Sequence, residues 1–166
     1  MRIFLMMMMC LVSTTLFAET GVSHGKEAAA KIEQIQSGTF LLDVRKKEEF
    51  MAGTIYGSIL MPHDQLEKNI AALIPDKKSP VIIYCRSGRR SKIAADAMKR
   101  LGYENVRDFG GMPEAAKKLR RTPSVPTPEK MFADIARRAK QYTVLPQNIA
   151  AEWKQFDELF PDYRKK

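Results

Sequence analysis

The 166-residue sequence predicts an α/β fold, a parallel sheet with helices on both faces, followed by a C-terminal helical extension. Three observations carry that prediction. Between residues 26 and 121, short apolar β-prone runs alternate with helix-forming segments, the pattern of parallel strands joined by crossover helices. The run Val81–Cys85, VIIYC, holds no charge, as a strand buried on both faces should. A proline-rich stretch at 122–128, TPSVPTP, then ends the alternation, and beyond it only helical periodicity is found.

Residues 26–35 form the first predicted helix, with Ala28, Ile32 and Ile35 on one face and Ser37-Gly38 as its stop. A buried strand follows at 39–44. Residues 48–52 are a short helical turn ended by Gly53, and 58–61 a short apolar run closed by Pro62. Asp64 and Glu67 have capping-box spacing and predict a helix over 65–73. The Asp76-Lys77-Lys78 turn leads into Val81–Cys85. Residues 91–101 then form a helix on which Ile93, Ala97 and Leu101 repeat along one face, with Gly102 as its stop. The last predicted strand is 105–109. In the extension, 129–166, Met131, Ile135 and Ala139 mark one amphipathic helix, and Ile149, Trp153, Phe156 and Phe160 a second. Such faces either cover the domain or meet a second copy or a protein partner. Two short helices cannot bury their own apolar faces, which favours covering the domain.

A composition of 45% hydrophobic and 28% charged residues describes a soluble globular chain with one real core and a modest extension. The first eighteen residues stand apart. Arg2 precedes an uncharged apolar run over 3–12 and a stretch of small and polar residues ending at Ala18, the layout of a secretory signal peptide, and 19–25 form a linker. The run is too short for a membrane span of about 20 residues. The Met residues before Cys10 do not resemble a lipoprotein signal. An exported, periplasmic protein without a stable membrane anchor is therefore expected. Cleavage would remove Cys10, leave Cys85 as the sole cysteine and exclude an internal disulfide. It would also remove Arg2 and no acid, taking the formal charge from +9 to +8. The cations are spread along the chain, so they read as a solvated basic surface and not as a nucleic-acid site.

Cys85 is the strongest candidate for chemistry. A thiol is nucleophilic only when ionised, and the segment Arg86-Ser87-Gly88-Arg89-Arg90-Ser91 sets three cations and the free N–H groups of a helix start beside it. Those supports predict a thiol that titrates below roughly 8.5. Ser87 and Gly88 permit a tight turn. Arg90, nearest the helix start, is suited to stabilising the loop. Ligands of parallel sheets bind at the carboxyl ends of strands, and Cys85 lies at such an end.

The segment VIIYCRSGRRS at 81–91 resembles the active-site segment of single-domain rhodaneses, the thiosulfate sulfurtransferase-like family. Three further segments match in order. LLDVRKKEEF at 41–50 is similar to the family's Asp-Val-Arg segment, GTIYGSILMP at 53–62 to its Gly-His-Ile-Pro-Gly-Ala stretch, and GYENVRDFGGM at 102–112 to its closing strand and Gly-Gly turn. The resemblance implies a rhodanese-like domain over 26–121, working without a cofactor. It also implies sulfur transfer: the Cys85 thiolate takes sulfur from a small anionic donor such as thiosulfate and passes it, as a persulfide, to a thiol or cyanide-like acceptor. Arg86, Ser87, Gly88, Arg89 and Arg90 would bind the donor, with loop N–H groups cradling charged sulfur. Asp43, Arg45 and Ser91 would support the site, the first two as a structural pair. Thr54 stands where the family has His, Tyr56 where it has Pro, and Ala115 where it commonly has Trp, at positions expected to frame the pocket.

Two other readings fit the same loop. A persulfide carrier or partner-binding module would keep Cys85 without turnover. A cysteine phosphatase or arsenate reductase also surrounds an oxyanion with Cys and Arg, but its Arg lies six positions after the Cys and a His usually precedes it. Here Arg90 lies five positions on, and Tyr84 precedes Cys85. His24, in the N-terminal stretch, and His63, beside a helix start, are not placed to act as bases. Two His and one retained Cys offer no metal-ligand spacing, and no glycine-rich nucleotide motif is present.

Overall fold

The computed structural model describes residues 38–141 and 146–163. The elements follow in the order β1 (Phe40–Asp43), α1 (Lys47–Ala52), β2 (Thr54–Ile55), β3 (Ile59–Leu60), α2 (Leu66–Leu73) and β4 (Val81–Cys85). After them come α3 (Arg89–Arg100), β5 (Val106–Gly111), α4 (Met112–Leu119), β6 (Pro123–Ser124), α5 (Pro128–Gln141) and α6 (Pro146–Leu159). The expected signal segment 1–18, the linker 19–25, the helix at 26–35 and His24 lie outside the described residues.

The two most apolar strands take the middle of the sheet because both of their faces can be buried there. β1 and β4 are buried along their whole lengths and pair in parallel, Phe40 against Val81 and Asp43 against Tyr84. The order is β3-β1-β4-β5, every pairing parallel, so the connections must cross over. Side chains alternate between faces. Phe40, Leu42, Ile83 and Cys85 face a core completed by Leu66 and Ile70 of α2 and Ala94 and Met98 of α3. Leu41, Ile82 and Tyr84 face the opposite core with Phe109, Ala115 and Leu119. The predicted two-sided α/β sheet is thus the fold found.

Details of the sequence expectation change. α2 begins at Leu66, and no side chain caps it; Asp64 lies before the Gln65 cap position, so the Asp64–Glu67 capping pair does not form. α3 starts two residues earlier than expected, at Arg89. Its buried face is Ser91, Ala94, Ala95, Ala97 and Met98, while Ile93 is 47% exposed. Small residues let that helix approach the sheet closely, and bulky Ile93 is left outside. β2 and β6, each two residues long, form a separate antiparallel pair that places Thr54 opposite Ser124. Residues 122–128, expected as a Pro-rich linker, separate α4 from α5 and at the same time carry β6.

The described residues belong to one compact unit. α6 lies against α2 and along the β3 edge. The Gln155 amide accepts from the Leu60 N–H at 3.2 Å and donates to the Leu60 carbonyl. Phe50, Leu60 and Leu159 form a third apolar cluster, with Met51, Met131 and Phe160 around it. Between α5 and α6, Arg138 is paired with buried Glu152, and Phe132, Trp153, Phe156 and Tyr163 pack ring against ring. Burial raises the Glu152 carboxyl above its ordinary range, opposed by the Arg138 guanidinium. No helix among the described residues is long and apolar enough to cross a membrane.

Candidate active site at the carboxyl end of β4

β4 delivers Cys85 to a loop that its own backbone closes. Gly88 is the residue before α3 and has φ +94, a left-handed conformation that a side chain disfavours. That turn brings the chain back over the sulfur, and the Gly88 N–H donates to Sγ at 3.1 Å. The Ser91 hydroxyl is buried and donates to the Gly88 carbonyl at 2.9 Å, tying the first turn of the helix to the loop. The other wall is the end of β5. Ser87 bridges to Gly111, and Cys85 pairs with Gly111 after a register shift in the ladder. A Cβ at Gly111 would displace the Glu114 carboxylate and press on the Arg86 carbonyl at 3.1 Å, so the approach is tight there.

Cys85 is buried, and burial alone would push its thiol up. The N–H groups of Ser91, Ser87 and Gly88 and the Ser91 hydroxyl oppose burial and win, holding the thiol below its ordinary value. Fixed dipoles at a strand-to-helix turn therefore lead the causes that lower it, where the sequence assigned the effect jointly to a helix start and three cations. Arg86, Ser87 and Arg89 are exposed on the rim, and Arg90 is half-buried. Arg90 reaches the Cys85 sulfur, and its guanidinium is held by Glu49 of α1 at 2.6 and 2.8 Å. That bidentate bond to Arg90, followed by the opposing effect of burial, leaves the Glu49 carboxyl at about 2.

Asp43 and Arg45 do form the expected structural pair, in a separate cluster at the end of β1. Both are buried. Arg45 donates to Asp43 through Nε at 2.9 Å and Nη2 at 2.6 Å, and to the Gly53 carbonyl at 2.6 Å. Tyr84 donates to the same carboxylate at 2.9 Å and Thr54 at 3.0 Å, while the Ser58 hydroxyl lies 2.8 Å from the Tyr84 oxygen. Burial, then the Asp43 charge, keeps the Tyr84 phenol protonated far above its ordinary range.

Glu49, Tyr84, Thr54 and Ser58 are the positions that sequence reasoning did not assign to the supporting framework. The Glu-Phe pair within LLDVRKKEEF was the one signal for Glu49. Of the positions expected to frame the pocket, Ala115 does not, while Thr54 and Tyr56 line a cavity with Ser58, Ser124 and Asp134 that includes no residue of the Cys85 loop. The Thr54 hydroxyl is spent on Asp43, and Ala115 is fully buried in the core beneath Tyr84 and Phe109. Tyr56 lies under the Arg137 guanidinium of α5. Among the described residues, no cluster of His, Cys, Asp and Glu is arranged to hold a metal ion.

Fold and loop together define a class, an α/β protein with a thiolate cradle where a buried parallel strand turns into a helix. The chain belongs to the rhodanese-like domain family, whose model matches residues 25–118. It is similar to the thiosulfate sulfurtransferase PspE of Escherichia coli, with 33% identity over 75 residues, covering 45% of this chain and 72% of that protein. It is also similar to the putative sulfur carrier protein YrkF of Bacillus subtilis, with 33% identity over 101 residues and 54% of each chain covered. A crystal structure of the Alr3790 protein from Anabaena shares the fold, with a TM-score of 0.52 and 16% identity, covering 76% of this chain and 96% of that one.

Proposed function

We propose that this protein is a rhodanese-type sulfurtransferase in which Cys85 carries the sulfur, and that thiosulfate or a related small anion is the donor. The observation that carries the proposal is the set of N–H groups around the Cys85 sulfur. The thiolate attacks the outer sulfur of thiosulfate, the S–S bond of the donor breaks, and sulfite leaves with the electron pair. Cys85 then holds a persulfide whose terminal sulfur is anionic. An acceptor nucleophile, a thiolate or cyanide, attacks that terminal sulfur and the Cys85 thiolate departs, ready for another cycle. N–H donors fixed by the fold stabilise negative sulfur in both states without reorganising. Arg86 and Arg89, exposed and without a hydrogen-bonded partner among the described residues, attract the anionic donor. Arg90, already bound by Glu49, shapes the loop.

The relative named as a sulfur carrier favours a second reading, in which the persulfide is held for a protein acceptor. Steady-state assay separates the two. Wild-type protein should convert thiosulfate and cyanide to thiocyanate and sulfite, and gain the mass of one sulfur atom on Cys85 when thiosulfate is supplied alone. Cys85→Ser should lose both, a fall of at least about 10³-fold in rate. A variant that keeps wild-type turnover refutes the proposal, and stoichiometric loading without turnover selects the carrier. Export to the periplasm is proposed with this function, from the signal-like residues 1–18. N-terminal sequencing of the mature protein tests it: a start near Glu19 supports export, and retained Met1 opposes it.

A further inference from the structure

α1 carries the carboxylate that holds Arg90, yet a six-residue helix cannot hold itself. Isolated helices shorter than about 12 residues are marginal in water, so the place of α1 is set by what surrounds it. Its C-terminal end is fixed by the Arg45 bond to the Gly53 carbonyl, and its middle by the Glu49–Arg90 pair. Further contacts come from Leu60 of β3 and from the extension. Phe50 is fully buried in a cluster with Leu60 and Leu159, the second of which belongs to the extension, with Phe160 and Met131 packed around it, and Lys47 Nζ donates to the Glu158 carbonyl at 3.0 Å. The family match ends at residue 118, so Met131, Glu158, Leu159 and Phe160 lie outside the matched domain.

We infer that Leu159 and Phe160 are positioning residues: by seating Phe50 they hold α1 where Glu49 clamps Arg90 beside Cys85. The extension thereby belongs to the active-site scaffold and is more than a cover for the sheet. Only the turnover readout rests on the sulfur-transfer proposal, since the thiol can also be followed by direct alkylation. Packed side chains joining rigid elements carry such coupling, and a double-mutant cycle measures it.

The test uses the full-length chain with Leu159→Ala, Glu49→Gln and the double variant, at a temperature where thermal melts show all of them folded. Alkylation of Cys85 by iodoacetamide is measured across pH, and kcat/KM is measured for transfer from thiosulfate to cyanide. Leu159→Ala should slow alkylation near neutral pH about threefold, move its midpoint upward and lower kcat/KM about tenfold. In the Glu49→Gln background the same change should add less than about twofold. If Leu159→Ala does not fold, Lys47→Met takes its place in the cycle under the same criteria. A variant that melts earlier but keeps the wild-type alkylation profile overturns the inference, as does full multiplication of the two effects in the double variant. A protein without turnover whose alkylation cycle shows the coupling keeps this inference and refutes the sulfur-transfer proposal.

Discussion

Tyr84 and Cys85 are neighbours on β4 and point to opposite faces of the sheet, and each enters a polar cluster made of different material. The phenol joins Asp43, Arg45, Thr54 and Ser58, a cluster of side chains that bond one another. The sulfur meets mainly backbone N–H groups, helped by one hydroxyl. In the first cluster every carboxylate lone pair has a donor, which fixes a scaffold and leaves nothing free to react. In the second, mostly backbone dipoles, with the Ser91 hydroxyl and the Arg90 guanidinium beside them, surround a group that stays available. The two clusters thus occupy separate faces and meet through α1, whose end Arg45 holds and whose Glu49 holds Arg90.

The largest expected effect on that contrast is structural. Asp43→Asn leaves the Arg45 guanidinium buried without its counter-charge and should cost about 3–5 kcal/mol in urea unfolding. Below the transition its Cys85 alkylation midpoint should shift less than that of Glu49→Gln, since Arg45 keeps its bond to the Gly53 carbonyl; an equal or larger shift would join the two clusters directly. Next comes the thiol. Its folded value is lowered, so alkylation of wild type should reach half-maximum below the roughly 8.5 of a free thiol. Ser91→Ala, which removes one of the donors, should raise that midpoint. An unchanged midpoint would leave the backbone alone responsible. The smallest effect concerns the pair that links α1 to the loop. Glu49 is depressed from 4.5 to about 2 in the folded state, so its contribution is present above pH 4.5 and lost as pH falls towards 2. The stability difference between wild type and Glu49→Gln, followed by urea unfolding at several pH values, should shrink over that window and vanish at its acid end.

Much of the sheet was legible because its signals are local. Val81–Cys85 is uncharged and largely β-branched, and Gly102 ends its helix after a good run of helix formers. The candidate thiol was legible for the same reason, since a strand, a glycine and a helix start surround it within a few residues. What escaped is non-local. Two-residue strands such as β2 and β6 have no period to detect, and their pairing joins Thr54 to Ser124 across the chain. The orientation of α3 was misjudged because Ile93 is the more apolar side chain, whereas close packing selected the small residues. The Glu49–Arg90 clamp spans 41 positions, so neither residue advertises the other. Asp64 has cap chemistry, yet the turn before α2 puts Gln65 at the helix start.

The Gln155 side chain meets Leu60 as a neighbouring strand would, taking its N–H and supplying its carbonyl with a donor. β3 is the outermost strand on that side, two residues long, and its outward groups are the ones on which another chain could polymerise. One amide from a helix terminates the ladder there. The outward N–H and carbonyl of Leu60 are thereby already paired, and that protection rests on a residue outside the sheet. A helix outside the sheet thus closes an edge that the strands leave open.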